Sequence, residues 1–358
     1  MVSCAPGTVN IVEFGADTSA ENNAEAIDKA IAAVAKGGTV VVPSGVFLSS
    51  TVHLKSNITL HLDEGATIKG VDDPGAYDSY IPTKDMSRYD SGAGTLNSNV
   101  SSDAAWNRAL VLGVGVENVS ITGPGGFDGS HVFDSTGEEH MRGPHTILFA
   151  ESRNLRLEGF TVDCAANYAT MGYEIENALY KDLRICQGWD GVHMRGAKNV
   201  VIEGCDLKTG DDCIAGGYWE NVVVKNCRLN TSCNGFRLMQ PVGSLEVFDT
   251  EIYGPGVYPH RTSGNHKTIF AMVVEPAAWG PAPGDVGTIS IHDVAIRDLT
   301  EPVVVDLTHG AKGREIIMRN VVSTGIRGTA TPLRSVDGVR FESEVVENCP
   351  VEQATPAE

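Results

Sequence analysis

The chain is poor in positive charge. It carries 27 Lys and Arg against 46 Asp and Glu, a formal net charge of −19. Nucleic acid and anionic membrane surfaces are held by clustered Lys and Arg, so neither is expected as a partner. A membrane-spanning helix needs about 18 consecutive apolar residues, and no such run occurs. The opening, MVSCAPGTVN, has neither the basic stretch nor the apolar core of a secretory signal peptide. That favours the cytoplasm, with secretion the alternative if a leader has been removed. Aromatic residues make up only 6%, which suits a core of small aliphatic side chains. The eight cysteines, Cys4, Cys164, Cys186, Cys205, Cys213, Cys227, Cys233 and Cys349, include no CxxC pair. Several recur at close to 22 residues (186 to 205, 205 to 227, 213 to 233), which predicts stacked columns of buried free thiols rather than disulfides or a metal centre.

What the chain has is a ruler. A polar residue, then apolar, any, apolar, any, then Asn, Asp or Gly recurs from Asn118 (NVSITG), Asn154 (NLRLEG), Asn177 (NALYKD), Asn199 (NVVIEG), Asn221 (NVVVKN), Ser244 (SLEVFD), Thr288 (TISIHD) and Glu315 (EIIMRN). Alternation of apolar and polar residues is the strand signal, and a fixed period of this size marks a solenoid. One such strand cannot bury its apolar face, so the turns must stack. The closing Asn, Asp and Gly tolerate left-handed backbone and suit sharp corners. These features predict an all-β fold, a right-handed parallel β-helix. A leucine-rich repeat would need leucines at fixed offsets, and they are missing. A solenoid grows by adding turns, so one domain over residues 1–350 is expected, followed by a polar tail at 351–358.

The N-terminal region departs from the ruler. Residues 23–36 place Ala26, Ile27, Ala30, Ile31 and Val34 at helical spacing, with Gly37 and Gly38 as the stop. This predicts a helix over the open end of the coil, where it would shield the core and block edge pairing. Residues 72–106, with Pro74, Tyr77, Tyr80, Pro82 and Tyr89, are too long for a corner and read as an excursion, a candidate wall of a binding site.

Three polar corners fall on the ruler. Asp190, Asp212 and Asn234 are each 22 residues apart (190 to 212, 212 to 234). Adjacent turns lie about 4.8 Å apart, so Asp190 is expected one rung from Asp211 and Asp212. Crowded carboxylates raise the pKa of at least one and keep a proton available. A protonated carboxyl beside an ionised one suits general acid–base chemistry. An Asp pair at a corner by itself reads as turn geometry or a calcium site; Asp190 one turn earlier opens the acid–base reading. On the strands that follow, Val192, Ile214 and Phe236 should point inward, and His193, Ala215 and Arg237 outward beside the acids. Arg237 is a candidate substrate contact, and His193 could tune a carboxylate or bind a hydroxyl. Tyr218 and Trp219 could stack on a sugar face. The run His260-Arg261…His266-Lys267 lies in a long loop that could reach over the cleft.

The chain resembles the polygalacturonase family (glycoside hydrolase family 28) over nearly its whole length. The stretch from VNIVEFGADTSAENN to HLDEGATI resembles the family's opening, and NVSITGPGGFDG (118–129) its next landmark. The family's Gly-Asp-Asp is intact as Gly210-Asp211-Asp212, and its Asn-Thr-Asp keeps only Asp190, in Gly188-Trp189-Asp190. The resemblance implies Asp211 as general acid and Asp190 with Asp212 activating water, with inversion at the anomeric carbon and no cofactor or metal. Two motifs are replaced. Cys233-Asn234-Gly235 stands where the family has Gly-His-Gly, and Val273-Val274-Glu275 where it has Arg-Ile-Lys. The resemblance associates the lost Arg and Lys with a uronate carboxylate, and a Glu there would repel one. The expected activity is therefore a glycosidase acting on an oligo- or polysaccharide other than plain polygalacturonate, with Asn234, Arg237, His193, Trp219 and Glu275 as candidate substrate contacts. Two alternatives remain: a calcium-dependent polysaccharide lyase using Arg237 as base, and a glycan-binding β-helix without catalysis.

Overall fold

The computed structural model describes residues 7–34, 37–90, 99–276, 282, 284–307, 312–328, 333–334 and 340–344. Among them 26 strands belong to a single sheet that winds as a coil, and the expected right-handed parallel β-helix is the fold that forms. The register follows the sequence ruler. The second residue of every repeat, Val119, Leu155, Ala178, Val200, Val222, Leu245, Ile289 and Ile316, stacks in one column, and all eight are buried. Branched and small aliphatic side chains in register fill the interior, which is why an aromatic-poor sequence suffices.

The corners explain the polar residues of the ruler. Asn57, Asn118, Asn154, Asn177, Asn199 and Asn221 all have left-handed backbone, with φ between 53° and 63°. From Asn118 onward their side-chain amides donate along the stack, each to the Asn one turn before, over 2.8–3.2 Å. Asparagine therefore does two things at this corner: it accepts the positive φ and it links rungs. The residues closing each repeat, among them Gly123, Gly159, Asp182, Gly204 and Asn226, also have positive φ.

The capping helix runs Ala24–Val34, and Ile27, Ala30, Ile31 and Val34 form its buried stripe. The amide of Gly37, at φ +113°, donates to the Val34 carbonyl at 2.9 Å. Residues 35–36 of the expected helix lie outside the described residues, as do Cys4, Cys349 and the tail. Six described cysteines are free thiols. The expected columns are only partly formed: Cys186 pairs in register with Lys208 and not with Cys205, because three residues of offset move it to another edge of the coil.

The excursion, described over 72–90 and 99–106, folds back on the coil. Tyr80, Met86, Tyr89 and Trp106 bury against Leu148, Met171, Tyr173 and Trp189 in a second apolar cluster on the outer face. Apolar residues on an outer strand face, silent in a period-two reading, are what this cluster covers.

Candidate active site

Three successive corners build the site. Asp190 ends the corner before the strand Val192–Glu203, Asp211 and Asp212 lie in the corner before Ile214–Lys225, and Cys233 precedes Asn234–Leu238. Rung-to-rung backbone bonds set the column: Ala169 N to Asp190 O at 2.8 Å, Gly191 N to Asp212 O at 2.9 Å and Cys213 N to Asn234 O at 2.9 Å. Gly210 allows this packing. A Cβ there would sit 2.4 Å from the Gly188 carbonyl oxygen and 2.8 Å from that of Pro259. The hydroxyls of Thr209 and Thr231 both donate to the Asp211 carbonyl oxygen, which fixes the backbone of the Asp pair.

One side-chain oxygen from each of Asp190, Asp211 and Asp212 lies within 4.8 Å of the others. The carboxyl groups of the consecutive pair converge rather than diverge. Asp190 and Asp212 are buried, at 3% and 4% exposure, and Asp211 is the more open, with 14% of its side chain exposed.

Each acid has a different partner. Asp190 Oδ2 lies 2.7 Å from His193 Nδ1, and Arg195 Nε donates to His193 Nε2 at 3.2 Å. The arginine fixes the tautomer: Nε2 accepts, so Nδ1 carries the hydrogen toward Asp190. Burial, then the charges of Arg195, His145 and Arg142, push the His193 pKa down, so this imidazole is neutral. Asp212 Oδ1 accepts from the Asn234 amide at 2.6 Å. Asp211 Oδ2 meets Arg142 Nη2 at 3.2 Å, and its Oδ1 lies 3.8 Å from His260 Nε2.

These partners sort the protons. Burial, followed by the charges of Asp211 and Asp212, raises Asp190 well above the usual carboxylate range. Burial and the Asp211 charge raise Asp212 to about 7. Burial would raise Asp211 too, but Arg142, then His260 and Arg237, outweigh it and hold Asp211 below the ordinary value. The family resemblance implies Asp211 as the general acid, and the guanidinium at hydrogen-bond distance lowers its pKa.

Two loops supply this second set of groups. Arg142 is 5% exposed, also meets Glu138 and Glu139, and lies over the Trp189 ring at 3.7 Å. His260 packs edge-on to the other side of the site, 5.8 Å from the Trp189 ring centre. Thr262 donates to Glu139, tying the loops together. His260 lies in the run that the sequence placed over the cleft. Nothing in the periodicity points to Arg142, which is 69 residues from Asp211 and off the ruler.

Three expected substrate contacts are corrected. Trp219 is 1% exposed in the main core, with its Nε1 donating to the Met194 carbonyl at 2.8 Å, so it cannot face a sugar. Asn234 is fully buried beneath Asp212. His193 is 1% exposed, stacked on Tyr168 at 4.5 Å with both nitrogens engaged, and has none left for a substrate hydroxyl. Arg237 is part-buried and Glu275 half-buried. Burial lowers the Arg237 pKa, but Asp212, Cys233, Asp211 and Glu275 outweigh it and keep the guanidinium charged. Arg237 stands in register with His193 and Ala215 below and Val273 above. Tyr218 is pinned by Arg88, 4.2 Å from its ring centre.

The converging oxygens resemble a cation site, and Asp211, Cys233 and His260 form a second such group. The charges fit a cation poorly. Arg142 already neutralises Asp211, Arg237 adds a second positive charge, and Asp190 and Asp212 are placed to hold protons.

A family model described as Glycosyl hydrolases family 28 matches residues 35–235. The chain is similar to the exo-poly-alpha-D-galacturonosidase of Dickeya chrysanthemi, 22% identical over 407 residues, covering 99% of this chain and 63% of that protein. Between half and two thirds of the length is spanned in the first curated relatives it matches, 52% in one and 63% in another. Among solved structures, the polygalacturonase from Erwinia carotovora ssp. carotovora shares the fold with a TM-score of 0.65 at 15% identity, over 94% of this chain and 96% of that one. The surface protein and adhesin PfbA of Streptococcus pneumoniae shares it with a TM-score of 0.55 at 14% identity, over 96% of this chain and all of that one (100%).

Proposed function

This chain belongs to glycosyl hydrolase family 28, and from that premise we propose that it hydrolyses glycosidic bonds of a pectin-type oligo- or polysaccharide at Asp190, Asp211 and Asp212. The observation that carries the reading is the convergence of three carboxyl groups within 4.8 Å, in surroundings that favour charge on one and protons on the others. A proton donor and an ionised carboxylate side by side are the two groups that glycoside hydrolysis requires. A displacement by water, with inversion at the anomeric carbon, is the course the family resemblance supports.

The substrate follows from what surrounds the acids. Val273 is 1% exposed in the column above Arg237, and Glu275 lies half-buried beyond it. The position that the resemblance gives to a carboxylate-binding Arg is apolar, and a carboxylate stands where a Lys would be. Arg237 is already balanced by Asp211, Asp212 and Glu275. A uronate carboxylate would gain little from Arg237 and would be repelled by Glu275, so neutral or differently substituted pectic sugars are the better substrates.

The lyase alternative needs Arg237 as a base, and its acidic neighbours hold it protonated. The positive charges of Arg142 and Arg237 beside the acids disfavour calcium. A purely glycan-binding role leaves the shared proton among the acids without use.

The test is a panel of pectin-derived oligosaccharides, with plain oligogalacturonate as reference, read by mass and by proton NMR of the first product. We expect new reducing ends of opposite anomeric configuration, with turnover of plain oligogalacturonate at least tenfold below that of the best substrate. A retained anomer would instead make one of the aspartates a nucleophile. Turnover of plain oligogalacturonate equal to the best substrate would overturn the substrate reading.

A further inference from the structure

We propose that Phe133 is a substrate contact outside the acids, a platform for the C–H face of an uncharged sugar ring one removed from the bond being cut. The proposal rests on the glycosidase reading for the identity of its ligand, and the contact itself can be tested without hydrolysis.

Phe133 departs from what the other aromatic residues near the site do. Trp106, Tyr168, Tyr173, Trp189 and Trp219 are all buried. Phe133 is 59% exposed, and it is the only exposed aromatic side chain among the described residues. A single exposed apolar side chain is ordinary on a protein surface; the position of this one is not.

Phe133 lies on the loop that carries Arg142, and the two residues face each other in an antiparallel bridge. The Asp134 amide donates to the Met141 carbonyl at 3.3 Å, so the backbone bond flanks the pair and does not join it. Directly opposed residues of this kind put their side chains on the same face of the ribbon, with Cβ atoms about 4.5–5.5 Å apart. Phe133 therefore leaves the loop on the face from which Arg142 reaches Asp211 at 3.2 Å. The guanidinium runs inward over Trp189 and is buried, whereas the Phe133 ring stays in solvent. One extended arginine separates the ring from the acids. A sugar at the reacting bond fills that distance, and the next sugar meets Phe133. The loop that closes on this one through the Thr262–Glu139 bond also carries an exposed apolar side chain, Val257.

The backbone beneath the ring is fixed on both sides. Val132 is buried in the main core. Asp134 is buried as well, and accepts from Arg108 Nη1 at 2.9 Å and from the Thr136 amide and hydroxyl at 2.8 and 2.6 Å. The ring cannot retract without breaking these contacts, so it is presented to solvent in a set place, and a preorganised face loses little freedom when a ligand covers it. Phenylalanine has no hydrogen-bonding group, so what it recognises is apolar surface. A sugar ring offers that on its C–H face. A free carboxylate laid there would lose water and gain no partner, which selects the neutral or esterified sugar.

The experiment uses methyl-esterified oligogalacturonates of two and four sugars. The disaccharide ends short of the ring and the tetrasaccharide covers it. Phe133→Ala should lower the ratio of kcat/KM for the tetrasaccharide to that for the disaccharide by about fivefold, the scale of one aromatic contact, with the loss carried by KM. Phe133→Trp should keep the ratio. A merely structural phenylalanine would change the melting temperature and leave the ratio alone. Binding is read separately, by fluorescence of Phe133→Trp in an Asp212→Asn background, with Asp212→Asn alone as control. The tetrasaccharide should move the emission of the new tryptophan to shorter wavelength, and the disaccharide should not. An unchanged ratio in Phe133→Ala, or an emission that the tetrasaccharide leaves unmoved, would overturn the proposal. So would a dimer of the wild type that dissociates in Phe133→Ala, which would assign the ring to a second copy of the chain. A shifted emission without hydrolysis by the wild type would fail the glycosidase reading and leave the contact standing.

Discussion

The stack of rungs and the pair of loops above it are built by different rules. In the middle of the stack a position has a neighbour 22 or 23 residues away that does the same thing: Val200 over Ala178, Asn199 over Asn177, Asp212 over Asp190. In the loops around 137–143 and 254–268 nothing repeats. Yet the loops bring Arg142 and His260 to Asp211, and the Glu139–Thr262 bond ties them together. The repeat places the carboxyl groups, and the irregular chain brings positive charge to one of them.

Four changes would break or sharpen that division, beginning with the largest effect. Asp212→Asn should lower turnover of the best glycan substrate by roughly 10²–10⁴, the usual worth of a general acid or base, while the thermal transition stays cooperative because the amide keeps a contact with Asn234. Steady-state rates and a melting curve on the same preparation check both halves.

Leu207→Ala removes a fully buried side chain below the site. Stability should fall by about 2–5 kcal/mol, read by denaturant unfolding, with the ranking of substrates unchanged. A changed ranking would mean that the stack, and not the loops, tunes specificity.

A smaller effect is pH-dependent. The native Asp212 pKa is raised to about 7, above its value in the unfolded chain. Between these two values the native state holds a proton that the unfolded state lacks, so wild type loses stability as pH rises through this window. Asp212→Asn abolishes that loss. The stability gap favouring the variant should therefore widen by roughly 1–3 kcal/mol from pH 5 to pH 8. A gap that is constant with pH would contradict the raised value.

The smallest is Asn177→Ala. It deletes one amide from the corner ladder and places alanine at φ 53°, which should cost about 1–2 kcal/mol and leave turnover intact.

How much was legible follows the same division. The inward column from Val119 to Ile316 could be written down from the repeat starts, because strand pairing at a fixed period leaves one register. Asp190 and Asp212 could be stacked by counting. Trp219 and His193 misled for different reasons. Trp219 packs into the main core, whereas for His193 alternation tells which face of the strand a side chain takes, not whether that face is later covered, and here it stacks on Tyr168. Arg142 could not be found by any spacing, since a loop residue meets Asp211 only after the coil has closed. The asparagines that open the repeats were read only as polar residues, and their bonding from rung to rung is visible only once the turns are stacked.

The central claim is that water cleaves a glycosidic bond at this column of acids. Digestion of the pectic oligosaccharide panel in heavy-oxygen water, with products read by mass spectrometry, tests it most directly. The account predicts saturated fragments with one heavy oxygen at each new reducing end, formed by wild type and lost in Asp212→Asn. Unsaturated fragments without the label, or intact oligosaccharides bound but not cut, would contradict it.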